Sequence, residues 1–570
     1  MRMHPGALLA TLLIPPAASF TASPDRPAMD YHFRLEHAAD GAPVLDVVLT
    51  ATGSPNGETR FNVPSIWAGE DSLRKSVILL EAKGLAAITG DSGGVIVVHH
   101  EPGALVTIHY VLRQDWAGPI RYPLYHRLIL DSSYVVFNGQ NGMVSPAYRL
   151  DGPVDVRFTW EGMPPAWRIV TSFGSGAKVM ARTTPRALLN ASFVAGQLRV
   201  LDTRRGDRKL TVVTDGHWRF SDDAYAMLQQ AVWAREREFW KDDPFDRGFV
   251  ALIPAIQRGT VGGTALTGGF VEFADTASDL TPVVRVATHE MLHFWNGQRM
   301  RSPDPEGLYK WFTEGFTDYY ADRFLHAAGG SSNDGYLSQV NRTLREYYTS
   351  PAAGSTRAAV EARYWSDADM KVYPYRQGYV FALWLESELM RASAGKFGLD
   401  ALMRQLYRAV TRSGGVISDS MLLAQVPARY RDRIAAGIAA SIDRGEPIPG
   451  PAGALGACAT LAAADIYQFE LGFDVLATTR DKIARGVISG GPAARAGLED
   501  GMRLTGWGWY NGDPDREATI RTTDGVAQRI LTYLPRSGVP KSVPQFVRDS
   551  GRGCGTGRKA RTEKREGREK

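Results

Sequence analysis

The feature that most restricts this chain is a pair of histidines, His289 and His293, four residues apart with Glu290 between them. Residues four apart share one face of an α-helix, so both imidazoles can reach a single metal ion. Glu290 emerges beside them, placed to take a proton from a water on that metal. With 11 His in 570 residues, chance supplies only about 0.01 such patterns. Two unrelated core histidines are therefore a poor account of it.

A catalytic zinc needs a third protein ligand and an open position. The next helical stretch carries Trp311-Phe312-Thr313-Glu314-Gly315-Phe316-Thr317-Asp318-Tyr319-Tyr320, and Glu314 follows His293 after one loop and a returning turn. The expected site is one Zn2+ per chain on His289, His293 and Glu314. Asp318, a turn beyond Glu314, is either a solvated helix charge or a partner for the far nitrogen of a ligand histidine.

Composition removes several other classes. The formal charge of +5 is carried by residues 551–570, which hold eight Lys/Arg and three Glu. The remaining 550 residues are neutral overall, which argues against nucleic-acid binding. No run is long and apolar enough to span a membrane. Arg2, the apolar stretch Ala7–Leu13 and the small residues Ala17, Ala18 and Ser19 resemble an export signal, so a periplasmic or secreted location is expected; a true start at Met29 is the alternative. The two cysteines, Cys458 and Cys554, are either a disulfide enclosing the C-terminal module or two separate thiols.

The pattern along the chain is that of a multidomain α+β protein. A signal peptide over 1–23 precedes an all-β sandwich over 24–165, with strand signals at Tyr31–Leu35, Val44–Leu49, Gly94–Val98, Val106–Leu112 and Val154–Trp160. A mainly helical metal-binding domain over 166–448 has helices expected at Asp222–Trp240, from Thr281-Pro282 onward, and at Leu308–Ala328, Tyr336–Tyr348, Tyr379–Ala394 and Leu399–Arg412. Phe249–Pro254 reads as a strand before a Gly-rich stretch. After a Pro/Gly linker at Gly445–Gly456 comes a small module over 460–547 and then a basic, disordered tail over 548–570.

His-Glu-x-x-His-x-Trp-Asn, then Arg299 and Arg301, then Trp-Phe-x-Glu-Gly-Phe-Thr-x-Tyr-Tyr resembles the glycyl aminopeptidase family of zinc peptidases. The resemblance implies a thermolysin-like catalytic domain between an N-terminal β domain and a C-terminal PDZ-like domain. It implies peptide substrates with small N-terminal residues such as Gly or Ala. In Val372-Tyr373-Pro374-Tyr375-Arg376-Gln377-Gly378 it implies that Tyr375, with Tyr373 as fallback, donates a hydrogen bond to the tetrahedral intermediate. Gly262, Gly263, Thr264 and Ala265 correspond to the Gly-rich substrate-binding strand, which in the family usually carries a Glu for the substrate's free amine. This chain has no carboxylate there, and Glu272 comes later.

Glu470-Leu471-Gly472-Phe473 resembles the carboxylate-binding loop of PDZ domains, and Gly491–Leu498 resembles a following turn and helix, so peptide C-termini are expected partners there. The expected activity is zinc-dependent peptide hydrolysis with Glu290 as general base. The alternatives are a zinc endopeptidase, a zinc hydrolase of non-peptide substrates, and a peptide-binding protein on a retired peptidase fold.

Overall fold

The computed structural model describes residues 28–549, apart from 69, 90–93, 119, 121–123, 148–151, 206–207, 242–246, 256–260, 267 and 511. The expected signal peptide, the basic tail and Cys554 lie outside the described residues. Two units are separated between Leu198 and Arg199.

The first unit is built from antiparallel and mixed sheets. Its largest sheet orders the strands Lys178–Thr183, Val154–Glu161, Met29–His37, Pro43–Thr52, Leu105–Leu112 and Val77–Ala82. Met29, Tyr31 and Phe33 alternate inward along one strand, the period-2 signature of a half-buried sheet. A second sheet contains Arg168–Thr171, Ser192–Gly196 and Tyr134–Asn138. Phe33 and Trp160 of the first sheet stack at 4.3 Å, and Phe137 and Phe193 of the second at 4.8 Å. Phe33 also meets Phe137 at 5.8 Å, so the two sheets share one aromatic core. Such ring pairs contribute about 0.5–1.5 kcal/mol each beyond buried area.

The expected boundary at residue 165 is too early. Ser192–Gly196 pairs antiparallel with Tyr134–Asn138 and Arg168–Thr171 pairs with Ser192–Gly196. Residues 166–198 therefore complete the β unit rather than open the next one.

The second unit opens with a five-stranded sheet of β1 (Arg199–Arg205), β2 (Arg208–Thr214), β3 (Arg247–Pro254), β4 (Val261–Leu266) and β5 (Gly269–Ala274). The spatial order is β1-β2-β3-β5-β4, with β2, β3 and β5 parallel and β4 antiparallel at the edge. Helix α1 (Asp222–Trp240) makes the crossover from β2 to β3 and starts at Ser221, whose hydroxyl accepts from Ala224 N. This is an ordinary serine cap.

Helix α2 (Leu280–Leu292) carries His289 in its last turn, and His293 is its C-cap residue. Asp279, not Thr281, occupies its cap position, while the Thr281 hydroxyl donates to Gly330 O at 2.9 Å. The long helix expected over Leu308–Ala328 is divided. A 3-10 turn at Glu306–Tyr309 leads into α3 (Lys310–Thr313), and α4 (Gly315–Ala327) begins directly after Glu314. Next come α5 (Asn333–Tyr348) and α6 (Ala368–Ala392). Helix α6 begins eleven residues before the expected Tyr379, because Asp367 caps it by accepting from Asp369 N and Met370 N. It then runs on through Pro374.

In the C-terminal module, β6 (Ala459–Ile466) is followed by α7 (Val475–Asp481), α8 (Pro492–Arg495), β7 (Arg503–Gly508), β8 (Ala518–Thr523), β9 (Gln528–Tyr533) and β10 (Lys541–Arg548). β7, β8 and β9 form one sheet, while β6 pairs with β10. At Leu471-Gly472-Phe473, where a PDZ-like loop is expected, the chain turns through Gly472 at φ +83°. Leu471 and Phe473 are buried in the module's own core. The segment after them is α7 rather than a peptide-accepting strand, because the Asp474 side chain accepts from Ala477 N and caps a helix.

β10 lies against α5. Asn341 donates to Phe546 O at 2.8 Å and accepts from Phe546 N at 2.7 Å. Phe546, Cys458 and Ala459 are buried in the same core as α2, α4 and α6. No helix among the described residues is long and apolar enough to cross a membrane.

Candidate metal centre

His289 and His293 project from α2 toward Glu314, at the junction of α3 and α4. Glu314 Oε2 stands 3.3 Å from each Nε2, and the two Nε2 atoms stand 3.0 Å apart. Ligand atoms about 2.0–2.1 Å from a tetrahedral zinc would be about 3.3 Å from one another. The three donors thus converge as a zinc site requires. Among the described residues they are the group able to hold a metal ion, and two histidines with one glutamate are a donor set of catalytic zinc.

Each ring is oriented from behind. His289 Nδ1 bonds Asp318 Oδ1 at 3.0 Å, and His293 Nδ1 bonds Asn296 O at 2.8 Å. Nδ1–H donates in both cases, which leaves each Nε2 lone pair for metal. Asp318 is no solvated charge: its side chain is 5% exposed, and it accepts from Arg285 at 3.2 Å and Arg376 at 3.1 Å. Burial would raise its pKa, but Arg285 and His289 outweigh that and hold it well below the usual carboxylate range. For His289, burial works against protonation, yet the hydrogen bonds to Asp318 and Glu314 push its pKa up to about 10 before metal binds. Zinc must displace that proton.

Asn296, Arg285 and Arg376 were not singled out by sequence reasoning. Asn296 lies within the motif, and besides its carbonyl it contributes a side-chain amide that reaches Phe312 O at 3.2 Å and Thr317 Oγ1 at 3.0 Å. This ties the loop after α2 to the helices flanking Glu314. The charge partners of Asp318 sit on α2 and α6, and no local pattern announces them.

Tyr375 and Tyr373 separate clearly. The Tyr375 ring stacks on His289 with centroids 5.9 Å apart, whereas Tyr373 is buried against Tyr347. Tyr375 also hydrogen-bonds to the buried Tyr364, and burial holds its hydroxyl well above the ordinary range, so it is a neutral donor. Two glycines allow this approach. A Cβ on Gly378 would fall 1.7 Å from Trp311 O, and one on Gly315 would fall 2.4 Å from Gly378 Cα. Bare backbone at both positions lets α6 and the α3–α4 junction touch, bringing Tyr375 and Glu314 to the same site.

Glu290 is half-buried, and its Cγ lies 3.5 Å from where a Cβ of Gly263 would stand. The general-base candidate is therefore flanked by the edge strand β4, which carries Gly262, Gly263, Thr264 and Ala265. Glu272 on β5 pairs with Gly263 but is fully buried, accepting from Tyr225 Oη at 3.0 Å. Burial holds its carboxyl well above the usual range, so it presents no charge at the strand. The metal ligands, Glu290 and Tyr375 are brought together. The Leu471–Phe473 loop belongs to the separate C-terminal core.

A parallel-rich sheet with an antiparallel edge strand, a zinc-ligand helix beside that edge, and a glutamate from the next helical pair define a zinc metallopeptidase. Residues 283–378 match the family described as M61 glycyl aminopeptidase. The matched segment contains His289, Glu290, His293, Glu314 and Tyr375. No curated protein sequence matches the chain. Among solved structures, an aminopeptidase N family protein from Idiomarina loihiensis is similar with TM-score 0.67 and 16% identity, over 91% of this chain and 98% of that one. The M1 zinc metallopeptidase of Deinococcus radiodurans has TM-score 0.48 and 16% identity, over 74% of this chain and 95% of that one. The first shares the fold across nearly its whole length.

Proposed function

We propose that this zinc metallopeptidase hydrolyses peptides laid along β4, as an exported aminopeptidase preferring small N-terminal residues. The observation that carries the reading is the position of Glu290, which follows the ligand His289 in the chain and lies against the bare backbone at Gly263. An extended substrate can pair with an edge strand through main-chain hydrogen bonds, and its scissile bond would then pass Glu290. When bound, zinc supplies a Lewis acid and lowers the pKa of the attacking water. Glu290 takes the proton from that water and returns it to the leaving amine. Tyr375, a neutral donor beside His289, offers its hydroxyl proton to the developing oxyanion. Asp318 and Asn296 O keep the histidine tautomers fixed during turnover.

Endopeptidase action is the second reading. It is favoured by the lack of a charged carboxylate along β4, with Glu272 buried beneath it. Neither reading draws on the C-terminal module, where Leu471 and Phe473 are buried in its core. One experiment separates the two: a set of Gly- and Ala-initiated peptides is offered free and N-acetylated to the zinc-loaded protein. Cleavage of free peptides alone supports the aminopeptidase. Equal internal cleavage of both makes it an endopeptidase, and no cleavage of either by a protein holding one zinc overturns the peptidase reading.

A further inference from the structure

Lys310 stands one helical turn before Glu314, and its ammonium lies 3.1 Å from Glu314 Oε1. The opposite oxygen, Oε2, is the one aimed at both histidines. The two oxygens of the ligand carboxylate thus have different neighbours. A carboxylate left to itself can close on zinc with one oxygen or with both, and the second mode uses the position that water and substrate need.

Lys310 is also unusually enclosed. Its side chain is 13% exposed, and Glu314 is 9% exposed. Removing an ammonium from water is costly unless it is paired, and the other carboxylate near it, Glu306 at 3.5 Å, is largely in solvent. The partner that repays the burial is Glu314. The ammonium further sits 5.5 Å from the Tyr364 ring centroid, and Tyr364 is the hydrogen-bond partner of Tyr375. One largely enclosed cation therefore pairs with the metal ligand Glu314 and faces the ring of Tyr364.

We propose that Lys310 is a positioning residue that engages Glu314 Oε1 and restricts Glu314 to one-oxygen coordination of zinc. The inference rests on the zinc-hydrolase reading above. It makes Lys310 part of the metal site although it never touches the metal.

The test is zinc affinity by chelator competition on full-length wild type, K310M and K310R, with folding followed by circular dichroism, plus a crystal structure of the zinc-loaded wild type. K310M is expected to bind zinc about tenfold more weakly, the usual cost of losing a group that orients a ligand. K310R keeps the cation and is expected to restore most of the affinity. In the crystal, Oε2 should lie on zinc and Oε1 on Lys310. Unchanged affinity in a folded K310M, or both Glu314 oxygens on zinc in the wild type, would overturn the proposal. The crystal result decides the matter even where K310M fails to fold. A wild type that takes up no zinc at all overturns the hydrolase reading, a failure distinct from an unaltered K310M.

Discussion

The helical wall of the site and the C-terminal module both carry glycine-containing motifs, one resembling a zinc peptidase family and the other PDZ domains, yet the structure uses their glycines differently. At Gly315 and Gly378 the glycines allow two backbones to touch, and the residues around them are fixed by partners on several elements. Buried His289 and Asp318 form one connected set with the half-buried Arg285 and Arg376. At Gly472 the glycine serves a left-handed turn, φ +83°, between two core side chains. A motif implies chemistry when the fold gathers polar groups around it, and only packing when its neighbours are apolar.

Substitutions can break or sharpen that contrast. The largest effect is expected from Glu290→Gln, which keeps the metal ligands but removes the base. Its kcat should fall about 10^3-fold with zinc content unchanged by mass spectrometry. Gly378→Ala pushes a methyl onto Trp311 O and shifts Tyr375 relative to Glu314. A displacement of about 1 Å costs roughly 100-fold in activity, accompanied by a lower Tm in calorimetry. Asp318→Asn leaves the shape but weakens the hold on His289, with about a tenfold loss of zinc affinity expected from chelator titration.

The same group sets a pH dependence. Below about pH 10 the metal-free His289 carries a proton, so zinc binding must release it. Apparent zinc affinity should therefore fall by about tenfold for each pH unit below that value. Calorimetry in buffers of different ionisation enthalpy would count the proton. On the other side of the comparison, Gly472→Ala strains the left-handed turn by about 1–2 kcal/mol. It should lower the module's stability in denaturant titration and leave kcat/KM within about twofold. A large loss of activity there would erase the distinction between the two regions.

How much of this was legible follows from the range of each signal. The His289–His293 pair is written in helical spacing, and α1 was readable from its period and Ser221. Glu314 was recoverable although the helix around it is divided. The end of the β unit was not readable, since it depends on Ser192–Gly196 pairing with a strand more than fifty residues earlier. Lys310 was visible only as a charge beside an aromatic run. Its meaning needs the rotamer that sends it to Glu314. For α7 a signal did exist: Asp474, a capping residue, directly precedes the helical stretch.

The seam between Asn341 and Phe546 has a consequence in time. Synthesis proceeds from the N-terminus, and domains generally fold as they emerge. The zinc ligands are all made by residue 314, but the strand that covers α5 ends at Arg548. Helix α5 in turn supplies Glu346, which lies 2.5 Å from Arg376, the same arginine that steadies Asp318. During translation the ribosome thus holds a chain with its metal ligands complete and the outer face of α5 bare. Assembly of the catalytic unit finishes only when nearly its last described residues arrive.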